Sequence, residues 1–171
     1  MPMSDRDTRF LSACFAAVVL LALAAGSIGR AQSMRIENLS RFPRTTLEIA
    51  GRGRVNRFHV WIANTPARQQ QGLMFVRDLP PSRGMLFPET APQVAYFWME
   101  NTYIPLDMLF IGENHRIEKI IARATPFSRA LLSSDQPVIA VIELKGGDAE
   151  ALGIRVGDPV SWQLPKGLEV R

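Results

Sequence analysis

The chain has 171 residues, 47% of them hydrophobic and 21% charged, with a formal net charge of +4. That balance excludes a disordered tail and fits one globular domain. A single cysteine excludes an internal disulfide framework and a cysteine-rich zinc module, and twelve glycines with twelve prolines exclude a collagen-like or low-complexity chain.

Residues 1–31 read as a secretory leader. Asp5, Arg6, Asp7 and Arg9 precede the uncharged run FLSACFAAVVLLALAA, and Gly29 and Ala31 supply the small residues needed for a cleavage after Ala31. The alternative is an uncleaved anchor over residues 10–29, because no charge falls between Arg9 and Arg30. Ser12, Gly26, Ser27 and Gly29 weaken both ends of that run, which favours the leader. Leu11-Ser12-Ala13-Cys14 has the composition of a lipoprotein box, but its apolar segment follows the cysteine instead of preceding it. Cys14 is therefore assigned to the leader, and the remaining chain has no thiol for catalysis or metal binding. The expected location is the periplasm or the extracellular space, where nucleic acid is not an expected partner. The positive charge is local: Arg35, Arg41, Arg44, Arg52, Arg54 and Arg57 stand against Glu37 and Glu48. Such an arm can meet an anionic envelope surface or remain a solvated segment.

Residues 32–44 lack periodicity and read as a lead-in to a single β domain over residues 45–171. Thr46–Ile49 and Phe58–Ile62 alternate around the turn Gly51-Arg52-Gly53, which predicts a hairpin. Thr65 can cap and Pro66 can open a short helix, Pro66 to Phe75. Strand-like pieces follow at Gly84–Phe87, Val94–Met99, Leu106–Ile111, Arg116–Ala122, Val138–Leu144 and Val160–Leu164. Gly112-Glu113-Asn114 is a tight turn, so the two strands beside it should pair antiparallel. Val138–Ile142 has no polar face and should lie centrally, covered on both sides. Residues 147–153 give one or two turns of helix ended by Gly153. Short strands, two minor helices and no βαβ rhythm predict a mainly β fold, a compact sandwich, jelly-roll-like or barrel.

Gly72-Leu73-Met74, Gly84-Met85-Leu86-Phe87, Phe97-Trp98-Met99 with Asn101-Thr102, and Ile104-Pro105-Leu106-Asp107-Met108-Leu109-Phe110-Ile111 form a recognisable set. Leu152-Gly153-Ile154 with Val156-Gly157-Asp158 closes it. Over about residues 58–164 the chain resembles the bacterial and archaeal family catalogued as domain of unknown function 192. The resemblance implies a small, mainly β, jelly-roll-like domain, frequently exported, and carries no assigned activity. Glu100 departs from the lysine common in that family, and Pro88-Glu89 interrupts a usually apolar strand, which is expected to stop early here.

Strand alternation suggests a site. If Phe97 and Met99 join Met108 and Phe110 in the core, Trp98 and Asp107 fall on the opposite sheet face, with Asn101 and Thr102 in the joining loop. Trp98, Asn101, Thr102 and Asp107 would then line a shallow site suited to a polyol, the indole covering C–H groups and the polar groups bonding hydroxyls. A carboxylate inside an apolar strand needs partners, and the alternative to a ligand is that backbone N–H groups of the 101–103 loop hold Asp107. The preferred reading is a non-enzymatic binding domain for a polar small molecule or envelope glycan, with no cofactor and no metal. One alternative is a hydrolase of envelope polymers using Asp107, with Glu89, Glu100 or Glu143 as a second carboxylate. The other is a structural or partner-binding module, with Asp107 saturated and Trp98 buried under the 100–105 loop. His59 and His115 read as surface or half-buried residues, and Met74, Met85, Met99 and Met108 as core filler ahead of a copper(I) site.

Overall fold

The computed structural model describes residues 36–171, so the expected leader, its anchor alternative, Cys14 and Arg35 lie outside the described residues. The strands are β1 (Arg44–Gly51), β2 (Arg54–Ile62), β3 (Arg83–Phe97), β4 (Leu106–Ile111), β5 (Ile117–Ala124), β6 (Leu132–Lys145) and β7 (Val160–Trp162). Two short helices, α1 (Pro66–Gln71) and α2 (Asp148–Ala151), complete the domain. The strands form one curled sheet, a half-barrel, in the order β5-β4-β6-β3-β2-β1-β7.

Local chemistry explains most boundaries. β1 and β2 form the expected hairpin, with Arg52 and Gly53 at positive φ in the turn. The Thr65 hydroxyl accepts from the Arg68 N–H and Pro66 opens α1. The helix ends at Gln71, earlier than expected, because Gly72 takes φ 49° and ψ −135°. β4 and β5 pair antiparallel, and β6 lies between β4 and β3, as its all-apolar stretch requires.

Two expectations fail. Gly84–Phe87 and Val94–Phe97 are not separate strands but parts of β3, Trp98 and Met99 lie past its end, and Pro88-Glu89 does not end it. The ladder with β6 instead skips from Pro88↔Ala140 to Gln93↔Val138, a bulge that accommodates a residue without an N–H. There is also a βαβ unit: β2, α1 and β3 form a crossover, with His59–Ile62 paired in parallel to Arg83–Leu86. A six-residue helix is too brief to advertise such a crossover by its periodicity.

The curl produces two cores. One takes a residue from every strand, among them Leu47, Phe58, Leu86, Leu109, Ile117, Ile142 and Val160, and fills the hollow. The rims meet where Arg116 bridges Pro159, Ile117 N–H donates to Asp158 and Val160 N–H donates to His115. The second core lies on the outer face of β3, β4 and β6, where Met85, Phe87, Met108 and Phe110 are covered by Phe42, Leu73 and Leu79. All four motif methionines are buried, and Met85, Met99 and Met108 belong to this outer core. Residues 36–43, expected as lead-in, pack against it through a 3-10 turn at Leu39–Arg41 and the Phe42 side chain.

Candidate functional site

Alternation on β4 holds: Leu106, Met108 and Phe110 join the outer core, and Leu109 and Ile111 the inner one. Asp107 therefore faces inward, into a second core rather than solvent. It is 0% exposed. One carboxylate oxygen accepts from Arg123 N–H at 2.7 Å, and the other accepts from Gly147 and Ala149 N–H, both at 2.9 Å. These donors come from β5 and the start of α2, not from the 101–103 loop. Arg123 and Gly147 both take positive φ, at 49° and 98°, in the segments that turn their N–H groups onto the carboxylate.

The expected four-residue site is thus divided. Trp98 is 47% exposed, not sealed under the 100–105 loop. Its neighbour Phe97 pairs with Leu132 while Asp107 pairs with Leu144, at opposite ends of β6, so Trp98 and Asp107 share no pocket. Beside β4 the face opposite the outer core is packed interior, and Trp98 follows the last residue of β3, outside the strand alternation. Asn101 holds a left-handed turn, φ 56°, with its carbonyl accepting from Phe75 N–H. Thr102 is buried, its hydroxyl 3.3 Å from the Glu100 carbonyl.

Trp98 and Thr102 do come together with other groups around a cavity of about 450 Å³. It lies on the outer face, between α1 with its Gly72–Met74 exit and the later half of β3. Its wall includes Glu143, which lies in the outer row of the sheet with Met108 on one side and Met85 on the other. Glu143 is 4% exposed, and its Oε2 has no hydrogen-bond partner. Burial pushes its carboxyl up to about 8, so it is mainly a neutral acid at pH 7. Two glycines allow this placement. A side chain at Gly84 would strike the Glu143 carbonyl, and a Cβ at Gly72 would stand 3.4 Å from the Phe87 ring and 3.8 Å from Glu143 Oε2.

Gln71 makes no bond to the acid and is turned to Glu37 instead: Oε1 accepts from Glu37 N–H at 2.7 Å and Nε2 donates to the Glu37 carbonyl at 2.8 Å. Arg68 likewise grips the Glu37 carboxylate at 3.0 Å, holding it below the usual carboxylate range. Aromatic rings complete the cavity, with Phe87 and Phe97 edge-to-face at 5.0 Å and Trp98 and Tyr96 in the lining. Glu143 had a sequence signal of its own, one acid at the end of the apolar run Val138–Ile142. Considering it only as a partner for Asp107 concealed that signal.

The pairing required for hydrolysis is not formed. Glu143 and Asp107 occupy opposite faces, Glu100 pairs with Arg129 at 2.6 Å, and Glu89 lines the outer cavity. Asp148 lies near enough for the Asp107 charge to reinforce the upward shift that burial gives it, but Asp107 itself has no open approach. His59 and His115 are exposed, His59 Nδ1 lying 3.3 Å from Thr46 Oγ1 and His115 against Trp162. The described arginines of the expected arm include four on the β1–β2 hairpin, where Arg57 pairs with Glu48 and Arg54 donates to the Leu152 carbonyl. Among the described residues, no group of three or more His, Cys, Asp or Glu is placed to hold a metal.

A family model, DUF192, described as "Uncharacterized ACR", matches residues 46–162. No curated protein matches the chain. Two crystal structures are similar. One, from Sinorhizobium meliloti 1021 and described as "a putative transcription regulator", has a TM-score of 0.69 and 36% identity, covering 71% of this chain and 95% of its own. The other, a protein of unknown function from Novosphingobium aromaticivorans DSM 12444, has a TM-score of 0.71 and 38% identity, covering 75% of this chain and 91% of its own.

Proposed function

The chain belongs to the DUF192 family, and from that premise we propose that it is a non-enzymatic binding domain whose ligand occupies the cavity beside Glu143. The ligand is a small molecule with an apolar body and one polar head, rather than a glycan. Asp107, which would have ordered sugar hydroxyls, is on the other side of the sheet. The unpartnered Oε2 of Glu143 in the cavity wall carries the reading. Buried polar groups are almost always satisfied, and one left open beside a cavity of ligand size is a group waiting for a partner.

A panel of small aromatic and aliphatic compounds, positive, negative and neutral, tests this by ligand-observed NMR on the full chain. Binders are expected to lose at least fivefold in affinity to Trp98→Ala, while stability changes by no more than about 1 kcal/mol because the indole is half exposed. A panel in which nothing binds, or in which Trp98→Ala changes no response, overturns the reading.

Export is part of the same proposal and is supported by the leader pattern of residues 1–31. N-terminal sequencing of protein recovered from the periplasm or medium is expected to begin at Gln32. Recovery only from the cytoplasm with residues 1–31 attached overturns export.

A further inference from the structure

Resting on the cavity reading above, we propose that the ligand is an organic ammonium ion: a protonated amine on a compact apolar body, with Glu143 as its acceptor. The charge of the lining is the first ground. The chain has more Lys and Arg than Asp and Glu, 20 against 16, yet among the described residues the only charged ones lining this cavity are Glu89 and Glu143. A carboxylate or phosphate ligand would find no cation there.

The second ground is the aromatic wall. Trp98 and Tyr96 line the cavity from β3 and its exit, and ring faces attract a desolvated cation. Third, Glu143 Oε2 is buried and unpartnered, and once ionised it requires an N–H or O–H donor that no neighbouring group supplies. A quaternary ammonium has no N–H to give, which excludes it and leaves protonated amines. Met85, Phe87, Met108 and Gly72 surround the acid from β3, β4 and the α1 exit, and none of them titrates. Glu89 belongs to the same cavity wall.

Binding then has a proton balance. The amine arrives protonated, Glu143 releases its proton to solvent, and an N–H···O⁻ pair forms in a site of low polarity. Affinity should rise from pH 6 to pH 8, because the acid surrenders its proton more readily there.

The test uses 2-phenylethylamine, 2-phenylethanol and 3-phenylpropanoate, titrated calorimetrically into the full chain at pH 7 in phosphate and in HEPES. NMR of the Trp98 indole N–H locates the binding. The amine is expected to bind at least tenfold more tightly than the alcohol and the carboxylate not at all. The difference in heat between buffers should correspond to release of most of one proton. Glu143→Gln, which removes the charge and keeps the shape, should weaken the amine at least tenfold and leave the alcohol unchanged. Amine and alcohol binding alike without proton release overturns the ammonium assignment and leaves the cavity standing as a site for neutral ligands. If no member of the series perturbs Trp98, the ammonium assignment also falls, and the wider panel decides the cavity independently.

Discussion

Asp107→Ala is expected to destabilise the domain by about 3–5 kcal/mol. The carboxylate is fully buried and accepts from Arg123, Gly147 and Ala149 N–H groups. Its removal strands three backbone donors in the inner core, and stranded buried donors cost about 1–3 kcal/mol each. Typical domains have only about 5–15 kcal/mol to lose. Asp107→Asn should be milder but still harmful, since its amide nitrogen would confront an N–H where an oxygen now accepts. Urea unfolding of the three proteins measures the differences. An alanine variant as stable as the parent would show that these bonds do not hold β5 and α2 together.

Glu143→Met should act in the opposite direction and stabilise the protein by about 1–3 kcal/mol. It replaces a buried acid lacking a partner at Oε2 with an apolar side chain suited to the space between Met85 and Met108. A residue that lowers stability in this way is characteristic of a site kept for binding. Between its ordinary value of 4.5 and its folded value of about 8, the acid is ionised in the unfolded chain and protonated in the folded one. The folded state then holds more protons, so its stability falls as pH rises through that window, by at most about 1.4 kcal/mol per pH unit. Glu143→Met should lose that slope. Unfolding profiles from pH 5 to pH 9 that run parallel in parent and variant would refute both the burial and its cause.

The alternation of the central strands was legible in sequence because apolar residues on β4 and β6 must reach a core. It placed Met99, Met108 and Phe110 together correctly. What alternation cannot report is the nature of the opposite face. A flat sheet would have turned Asp107 to solvent, but curling turns it into a second core whose members include Leu47 and Val160, remote in sequence. Continuity of β3 through Pro88 was hidden for a related reason, since the bulge is set by the partner strand β6. Glu143 was visible as an unusual acid. Its isolation was not, because the commitment of Gln71 to Glu37 depends on how α1 docks.

The meeting of β5 and β7 is a seam rather than a weld. A bridge at Arg116 and Pro159 with adjoining bonds to Asp158 and His115 joins the rims there, whereas β3 and β6 share a long ladder in the middle of the sheet. Amide exchange should be fastest along that seam and slowest at the β3–β6 centre. The shell is thus free to breathe along its closure line while the cavity beside Glu143, carried on the outside of its most firmly laced strands, keeps its shape.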